Sequence, residues 1–338
     1  MILDVQDPRW SAFVARCHDA TLFHHPVWVD LLHEVYGYRP LALASTDAEG
    51  RIAAGVPVMD VSSRFTGRRW VSLPFTDSCA FLTEGQPADE FARALIDEAR
   101  ARRLDTFELR TAVPAGPPLH TQPVAVRHRL ALSADPDAVY GGFSKMHRRN
   151  IRKAEQTGMR VAIGHGPTDI AAFYRLHLLT RRRLGVPIQP RRFFRLLSSR
   201  LLARGFGFVL SVHVGDIPVA AAVFLHWNGV LIYKYGASDE QYWEYRPNNL
   251  LFREAIRWGC EHGCHTLDWG RTDLDDRGLR DFKQGWGAHE EPLYYSIVGD
   301  APPRDSSGPL KKAMATVIRR SSPWVCQAVG ELFYRYAA

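Results

Sequence analysis

The chain has 338 residues, 46% hydrophobic and 23% charged, a balance typical of a soluble globular protein long enough for two domains. Its 43 lysines and arginines exceed its 36 acidic residues and give a net charge of +7. This excess favours phosphate-bearing or polyanionic partners, or reflects an arginine-rich composition, and it identifies no partner by itself.

Five cysteines at irregular spacing predict reduced thiols rather than a disulfide framework. No apolar stretch reaches the roughly 18 residues of a membrane span, and the first residues lack a signal-peptide pattern, so a cytoplasmic location is expected. Cys260, His262, Cys264 and His265 lie close together, but Gly263 should end a helix there and no second ligand pair follows. No metal site is therefore predicted.

The spacing of apolar residues predicts alternating helices and strands along the chain. Two amphipathic helices are expected between Pro8 and Tyr36, then strands, a helix over Pro87 to Arg103 and the strand TFELR. After a proline-rich hinge at 112–123 we expect a strand and one helical stretch from Asp135 to Thr157. Two further helices and a hairpin around the turn GD complete this part.

The most informative stretch runs from Gly229 to Gly287. It predicts a strand, a polar loop, a helix that begins at Pro247 and a second, parallel strand. The carboxyl ends of two such strands meet at one edge of a sheet, where a site is expected. The polar residues that would gather there are Asp239, Asn248, Asp273 and Lys283.

The first half contains a weaker copy of the second. EGRIAAGVPV parallels VGDIPVAAAVF, WVSLPFTD ends in Asp77 as IYKYGASD ends in Asp239, and DTFELRT parallels HTLDWGRT. The three matches share an offset of roughly 160 residues, which indicates a duplicated α/β unit.

A helix with a basic stripe is predicted at SKMHRRNIRKAEQ, with His147, Ile151 and Ala154 on the neighbouring face. The stripe consists of Lys145, Arg148, Arg149 and Arg152. It suits a nucleic-acid backbone, or it is a solvated helix face. No base-reading signature accompanies it, so a sequence-specific nucleic-acid binder is not expected.

In their order along the chain, these segments resemble the FemAB-like branch of the GNAT acyltransferase superfamily. The resemblance rests on FHHPVW, LPFTD, the basic helix, LLTRRRLGVP, IYKYGASD, RPNNLLFREAI and LRDFKQGWG. It implies an α/β fold with tandem GNAT-like domains at 1–125 and 126–300, each a mixed twisted sheet flanked by helices. The basic amphipathic helices of 301–338 would follow.

The activity implied by the resemblance is N-acyl transfer. An aminoacyl or acyl group would pass from an activated donor to an amine of a small-molecule, peptide or cell-envelope acceptor. A non-catalytic basic binding module remains an alternative.

Lys283 matches the lysine that meets the reacting carbonyl or the tRNA end in the family, where it would stabilise an oxyanion. Asp77 matches a base or substrate contact, and Asp273 is a further catalytic candidate at a strand end. From the residues alone, a functional Lys283 is preferred over a surface lysine, whereas for Asp77 a turn aspartate that binds nearby backbone amides is preferred.

Arg183 and Tyr235 match positions that hold the acceptor, often through its phosphates. The other substrate-binding candidates are Tyr233, Asp239, Asn248 and Phe282. In VWVDLLHEVYGY, Glu34 and Tyr36 occupy the region where the family pattern has a lysine, which argues against a nucleotide-linked cell-wall precursor as acceptor.

The donor is predicted from the loop EYRPNN. It lacks the glycines with which GNAT enzymes bind the pyrophosphate of coenzyme A at a helix N-terminus. Together with the basic stripe and Arg246, this favours aminoacyl-tRNA as donor co-substrate, with acyl-CoA or an acyl carrier as the alternative. No bound cofactor is expected.

The tail carries basic and apolar residues side by side: Lys311, Lys312, Arg319 and Arg320 with Val317, Ile318, Trp324 and Phe333. Packing against the body or a second subunit is the preferred interpretation. Peripheral contact with an anionic membrane is the alternative.

Overall fold

The computed structural model describes residues 1–64, 67–113, 119–299 and 309–334, without the side chains of 309–313 and 333. The chain forms two compact units. The first comprises Met1–Val126 and a segment that begins at Pro292, and the second comprises Arg127–Glu291 with the C-terminal helices. Part of the predicted hinge and the side chains of Lys311, Lys312 and Phe333 lie outside the described residues.

After a two-residue strand, the first unit has two helices and then a series of strands, as the sequence predicts. Its helices are α1 (Pro8–Arg16), α2 (Pro26–Tyr36) and α3 (Ala88–Ala101). Its strands are β1 (Ile2–Leu3), β2 (Arg39–Thr46), β3 (Ile52–Asp60), β4 (Arg69–Val71), β5 (Leu82–Thr83), β6 (Thr106–Leu109) and β7 (Leu119–Ala131). The division between the units falls within β7.

The second unit has more helices. They are α4 (Pro136–Gly141), α5 (Lys145–Glu155), α6 (Pro167–Leu184), α7 (Arg191–Arg200), α8 (Pro247–Glu261), α9 (Arg277–Gln284), α10 (Pro309–Arg320) and α11 (Pro323–Phe333). Its strands are β8 (Arg160–Gly164), β9 (Gly207–Val214), β10 (Ile217–Trp227), β11 (Val230–Ser238) and β12 (Thr266–Thr272). A last strand, β13 (His289–Val298), begins in this unit and belongs to the first unit from Pro292. A short 3₁₀ helix, Glu240–Tyr245, lies between β11 and α8.

Each unit contains a mixed sheet with a parallel crossover. In the first, the order is β1-β2-β3-β4-β6 followed by the end of β13, and β4 is parallel to β6. In the second, the antiparallel strands β8-β9-β10-β11 precede β12, which is parallel to β11. The mixed α/β architecture predicted from the sequence is confirmed.

The two crossovers correspond to the predicted repeat. Arg69 pairs with Thr106 across the first parallel pair and Val230 pairs with Thr266 across the second, about 160 residues further on. The connecting helices α3 and α8 are displaced by the same interval. A strand, a helix and a parallel strand therefore recur in each half, because a parallel pair needs a crossover of this kind.

One local prediction differs from the structure. The helical stretch expected from Asp135 to Thr157 is two helices, because Gly141 and Gly142 interrupt it and Ser144 caps the second helix through the backbone N–H of His147. Ser296–Val298 pair with β6, and the predicted domain boundaries stay a prediction.

The core of the second unit surrounds α8, whose Leu250, Leu251 and Ile256 pack against β10, β11 and β12. Pro247 begins this helix, where its missing N–H leaves no bond unmade. Gly263, at φ +72°, follows the last turn. Within the described residues, no cluster of three or more His, Cys, Asp or Glu side chains could hold a metal ion.

None of the helices in the described part of the chain combines the length and apolar character that would let it cross a membrane.

Candidate active site

The parallel pairing of β11 and β12 covers three residue pairs and stops at Ile232 and Asp268. Beyond that point β11 continues to Ser238 and β12 continues to Thr272, but they no longer pair with each other. The backbone of Gly270 has a φ of +66°, a left-handed conformation that glycine adopts at low cost. The carboxyl ends of β11 and β12 are therefore separated, and no backbone hydrogen bonds join the two strands there.

A pocket of about 280 Å³ occupies this opening. Its walls are mainly apolar and come from β10, β11, β12, α6, α8 and α9. The larger and polar side chains that line it are Thr180, Tyr233, Ser238, Asn248, Phe252, Trp269, Leu279, Phe282 and Lys283. A concave, largely apolar pocket with a few polar groups is the usual form of a small-ligand site.

Lys283 is 2% exposed, and its ammonium group donates to three successive carbonyl oxygens of β12. The distances from Nζ are 2.8 Å to Trp269 O, 3.2 Å to Gly270 O and 3.3 Å to Arg271 O. Three donors thus meet three acceptors, which satisfies a buried cation. The interaction ties the last turn of α9 to the end of β12.

A second side chain of α9 is also held, one turn before Lys283. Arg280 donates to both carboxylate oxygens of Glu290, at 2.8 and 2.7 Å. These hydrogen bonds lower the pKa of the Glu290 carboxyl. Asp276 caps the helix by accepting from the backbone N–H of Leu279 at 3.0 Å. This short helix therefore holds Phe282 and Lys283 in one position at the pocket.

Tyr233 lines the pocket from β11 and differs from Lys283 in the hydrogen bonding of its polar atom. Its hydroxyl lies over Gly236, where a Cβ would come within 1.8 Å of the oxygen, and it has no hydrogen-bond partner among the described residues. Burial raises the pKa of Tyr233 to about 12. The phenol therefore remains protonated at neutral pH and presents an O–H donor to the pocket.

His147 connects the basic helix α5 to the pocket. It is fully buried, its Nε2 donates to Phe282 O at 2.9 Å, and its Nδ1 accepts from the side-chain amide of Asn249 at 2.9 Å. Its ring stacks on Trp286. Burial lowers the pKa of His147, so the neutral ring is favoured and links α5, α8 and α9.

Comparison with known proteins bears on this part of the chain. Residues 142–284 match the family model described as an acetyltransferase (GNAT) domain. A lipid II:glycine glycyltransferase from Staphylococcus haemolyticus is 27% identical over 121 residues, 30% of this chain and 29% of the relative. The match thus spans under a third of that relative's length.

Solved structures extend the likeness in fold to most of the chain. FemX superposes with a TM-score of 0.66 at 14% identity and covers 88% of this chain and 96% of its own. A tandem GNAT protein from the clavulanic acid biosynthesis pathway gives 0.51 at 11% identity, over 89% and 99% of the two chains.

Residues 142–284 are a GNAT domain, and the chain has a FemAB-like fold.

The predicted site residues of the GNAT domain fall into four groups. Four line the pocket or its rim: Tyr233, Asn248, Phe282 and Lys283. Asn248 donates from its amide nitrogen to Ser238 Oγ at 3.3 Å, and Ser238 also accepts from the Trp243 indole at 2.9 Å. Ser238 thereby joins the end of β11 to the start of α8.

A second cavity, of about 490 Å³, shares Ser238 with the pocket and contains Arg183 and Asp239. The Arg183 guanidinium lies 4.5 Å from the centre of the Trp243 ring and 3.5 Å from Glu240. Asp239 caps the 3₁₀ helix by accepting from the backbone N–H of Gln241. These two candidates therefore face one neighbouring cavity.

Tyr235 lies outside the pocket, and its ring packs against Phe193, Phe194 and His177. Strict alternation along β11 would place Tyr233 and Tyr235 on one face of the sheet. The pairing with β10 shifts register between them, since Val223 pairs with Tyr235 and the next residue, Phe224, pairs with Tyr233. This bulge turns the two rings to opposite faces, and the predicted role of Tyr235 stays a prediction.

Asp273 also lies outside the residues that line the pocket. It is exposed and pairs with Arg271 at 3.0 Å. Its predicted catalytic role stays a prediction.

The predicted donor-binding residues lie at or near the protein surface. Lys145, Arg149 and Arg152 on α5 are exposed, and Arg148 is half-buried and donates to Gly141 O. Arg246 is exposed and has φ +61° just before α8. The loop before α8 is the 3₁₀ helix instead of a glycine-rich turn.

Asp77 belongs to the first unit. It follows Leu73 and Phe75, whose φ angles of +69° and +57° are uncommon for these residue types. The carbonyl of Asp77 accepts from the Tyr295 hydroxyl at 3.1 Å, and Arg110 donates to Thr76 O one residue earlier. The loop is therefore firmly held, and a shared site with Lys283 stays a prediction.

Sequence reasoning missed several pocket residues. Thr180, Trp269 and Leu279 line the pocket, and His147 fastens its helices. One signal was available for Thr180: it lies three residues before Arg183 on α6, and therefore on a neighbouring face of the same helix. Nothing in the sequence indicates that Lys283 binds carbonyls of β12.

Proposed function

We propose that the chain is an N-acyltransferase that moves an aminoacyl group from aminoacyl-tRNA to an amine of a cell-envelope acceptor. The observation that carries the proposal is the pocket at the splayed ends of β11 and β12, which combines apolar walls with the Tyr233 hydroxyl. The name of the glycyltransferase relative supports the same class of reaction and an acceptor such as lipid II.

In this reaction the neutral amine attacks the ester carbonyl carbon of the donor. A C–N bond forms, the carbonyl electrons move to oxygen, and the C–O bond to the terminal ribose then breaks. The amine loses one proton and the leaving ribose oxygen gains one. A donor ester is already reactive, so positioning in the pocket would supply much of the rate.

Tyr233 is the residue that we assign to the oxyanion. Its O–H is uncommitted and stays protonated because the pKa is about 12, whereas the three protons of Lys283 already bind carbonyls of β12. Lys283 would then have a structural role, because it holds α9 against the end of β12 at the pocket. The sequence-based prediction gave the oxyanion role to Lys283, and the variants below separate the two.

The donor preference rests on two features of the GNAT domain. The exposed cations of α5 are attached to the pocket through His147, and the entry to α8 is a 3₁₀ helix with acidic Glu240 and Glu244. An anionic pyrophosphate is favoured by a glycine loop and open backbone N–H groups, which this entry lacks. A tRNA backbone would instead follow the basic face of α5.

The donor is tested by incubating the full chain with charged tRNA or acyl-CoA and a panel of amines that includes lipid-linked peptides. We expect amide formation with charged tRNA. Transfer from acyl-CoA alone would leave the reaction class intact and refute the donor. The absence of transfer from every donor would favour a non-catalytic binding module.

Tyr233→Phe removes only the hydroxyl, and we expect a fall in kcat of about a hundredfold to a thousandfold without loss of stability. Lys283→Met should lower both stability and kcat, because three buried carbonyls lose their donor. Tyr140→Phe, which removes a hydroxyl outside the pocket, is the control. The oxyanion role would return to Lys283 if Lys283→Met were stable but lost kcat while Tyr233→Phe remained active.

A further inference from the structure

The two C-terminal helices are seated on the GNAT domain. Ile318 and Cys326 are fully buried, and Arg319 donates to Leu184 O at 3.1 Å. Glu331 accepts from the backbone N–H of Arg191 at 2.8 Å. Both helices contact α6. Packing of the tail against its own chain therefore fixes which of its side chains face outward.

Several of the outward side chains are large and apolar. Val317 is 56% exposed, Trp324 69% and Leu332 64%. Leu184, beside the Arg319 contact on α6, is 51% exposed. We call Leu184, Val317, Trp324 and Leu332 the tail surface. Large apolar side chains left exposed on helices that are otherwise packed leave apolar area in water, which an interaction surface would cover.

Cations accompany the tail surface. Arg319 and Arg320 are exposed at the end of α10, and Arg319 lines the cavity of about 490 Å³ together with Arg182 and Arg183. Arg182 forms no ion pair among the described residues. Helices that lie on anionic lipid place aliphatic and aromatic residues beside arginines, which is the composition of this tail.

We propose that the tail surface docks on an anionic lipid bilayer. Trp324 and Leu332 would enter the boundary between headgroups and acyl chains, and Arg319 and Arg320 would bind lipid phosphates. The second cavity would then lie at the level of the headgroups, because it is lined by Arg182, Arg183 and Arg319. This docking is independent of the proposed chemistry, because it is defined by lipid binding alone.

The test is co-sedimentation of the full-length protein with vesicles of phosphatidylglycerol and phosphatidylcholine, or of phosphatidylcholine alone. We expect binding to the anionic vesicles that weakens as salt is raised. Arg320→Gln should weaken binding about fivefold, and the pair Trp324→Ser and Leu332→Ser should weaken it at least tenfold. Ile217→Ser, an exposed apolar residue of the β9–β10 turn, and Arg93→Gln on α3 are the matched controls.

Equal binding to both vesicle types, or unchanged binding of the Trp324 and Leu332 variant, would overturn the proposal. A third result would also overturn it: light scattering shows a wild-type dimer, the same variant is a monomer, and the wild type does not bind vesicles. The tail surface would then join two copies of the chain. Melting curves establish that each variant is folded. Transfer to a water-soluble amine, measured separately, should be unaffected by these substitutions.

Discussion

Lys283 and Tyr233 both line the pocket, but they differ in what their polar atoms already bind. Nζ of Lys283 has three carbonyl acceptors within 3.3 Å, and the Tyr233 hydroxyl has none among the described residues. A group can stabilise a developing charge only with a donor that is available when the charge forms. At the scale of single residues, free donors therefore matter more than formal charge.

His177 gives a prediction about pH. It is 3% exposed on α6, bonds the Gln189 side chain at 3.1 Å, and burial lowers its pKa to about 3. Below its ordinary pKa of 6.5 the unfolded chain binds a proton that the folded chain does not, so stability falls as pH falls from 6.5 towards 3. The loss at about pH 5.5 is roughly 1.4 kcal/mol.

Urea unfolding of the wild type and of His177→Gln at about pH 7.5 and 5.5 measures this effect. The variant should lose about 1.4 kcal/mol less stability between the two pH values. His18→Gln, at a side chain 88% exposed, is the matched control for the loss of a histidine. An identical pH slope in His177→Gln would contradict the argument.

At the scale of elements, one face of α5 packs in the core and the other face carries exposed cations. His147, Ile151 and Ala154 are buried on one face, as their spacing predicts, and the cations stand on the other. The buried face is bonded to α8 and α9, so the basic face has a defined position beside the pocket. A mobile basic helix would not have that property.

Neutralising α5 should therefore weaken binding of tRNA. For Lys145→Gln, Arg149→Gln and Arg152→Gln combined, we expect lower affinity and a shallower slope of log K against log salt. The slope should change by about 0.7 to 0.9 for each phosphate that the variant no longer neutralises. Filter binding across a salt series measures it. Arg93→Gln with Arg100→Gln, on exposed positions of α3, should leave the slope unchanged, and an equal change in both sets would refute a specific role for α5.

At the scale of the whole molecule, the same crossover occurs in both units, but its surroundings differ. The first unit ends β4 at Val71 and continues into a loop held by Arg110 and Tyr295. The second continues β11 beyond its partner and leaves the pocket. The crossover that packs a core is present in both units, and the loops and helices around it differ.

The tail gives a prediction at this scale. A Cβ on Gly330 of α11 would lie 1.9 Å from Ile188 O, so Gly330→Ala should displace α11 despite the better helix propensity of alanine. We expect a loss of about 1 to 3 kcal/mol and faster hydrogen exchange in α11. Gly141→Ala, where a Cβ meets nothing within 4 Å, is the control. Unchanged exchange in Gly330→Ala would show that α11 is not tightly packed there.

Local sequence signals determined much of this fold. Pro247 begins α8, Gly263 follows its end, and the alternation of apolar residues predicted both crossovers and their repeat. These features depend on backbone geometry and on which face of an element is buried, and both are written in a few neighbouring residues.

The composition of the site was decided by tertiary structure. Lys283 is buried and holds β12, Tyr233 faces the pocket while Tyr235 faces α7, and His147 joins three helices. Each fact depends on atoms brought together from distant parts of the chain. A sequence shows which side chains can donate or accept, but only packing decides which donors are already satisfied and which remain free to meet a substrate.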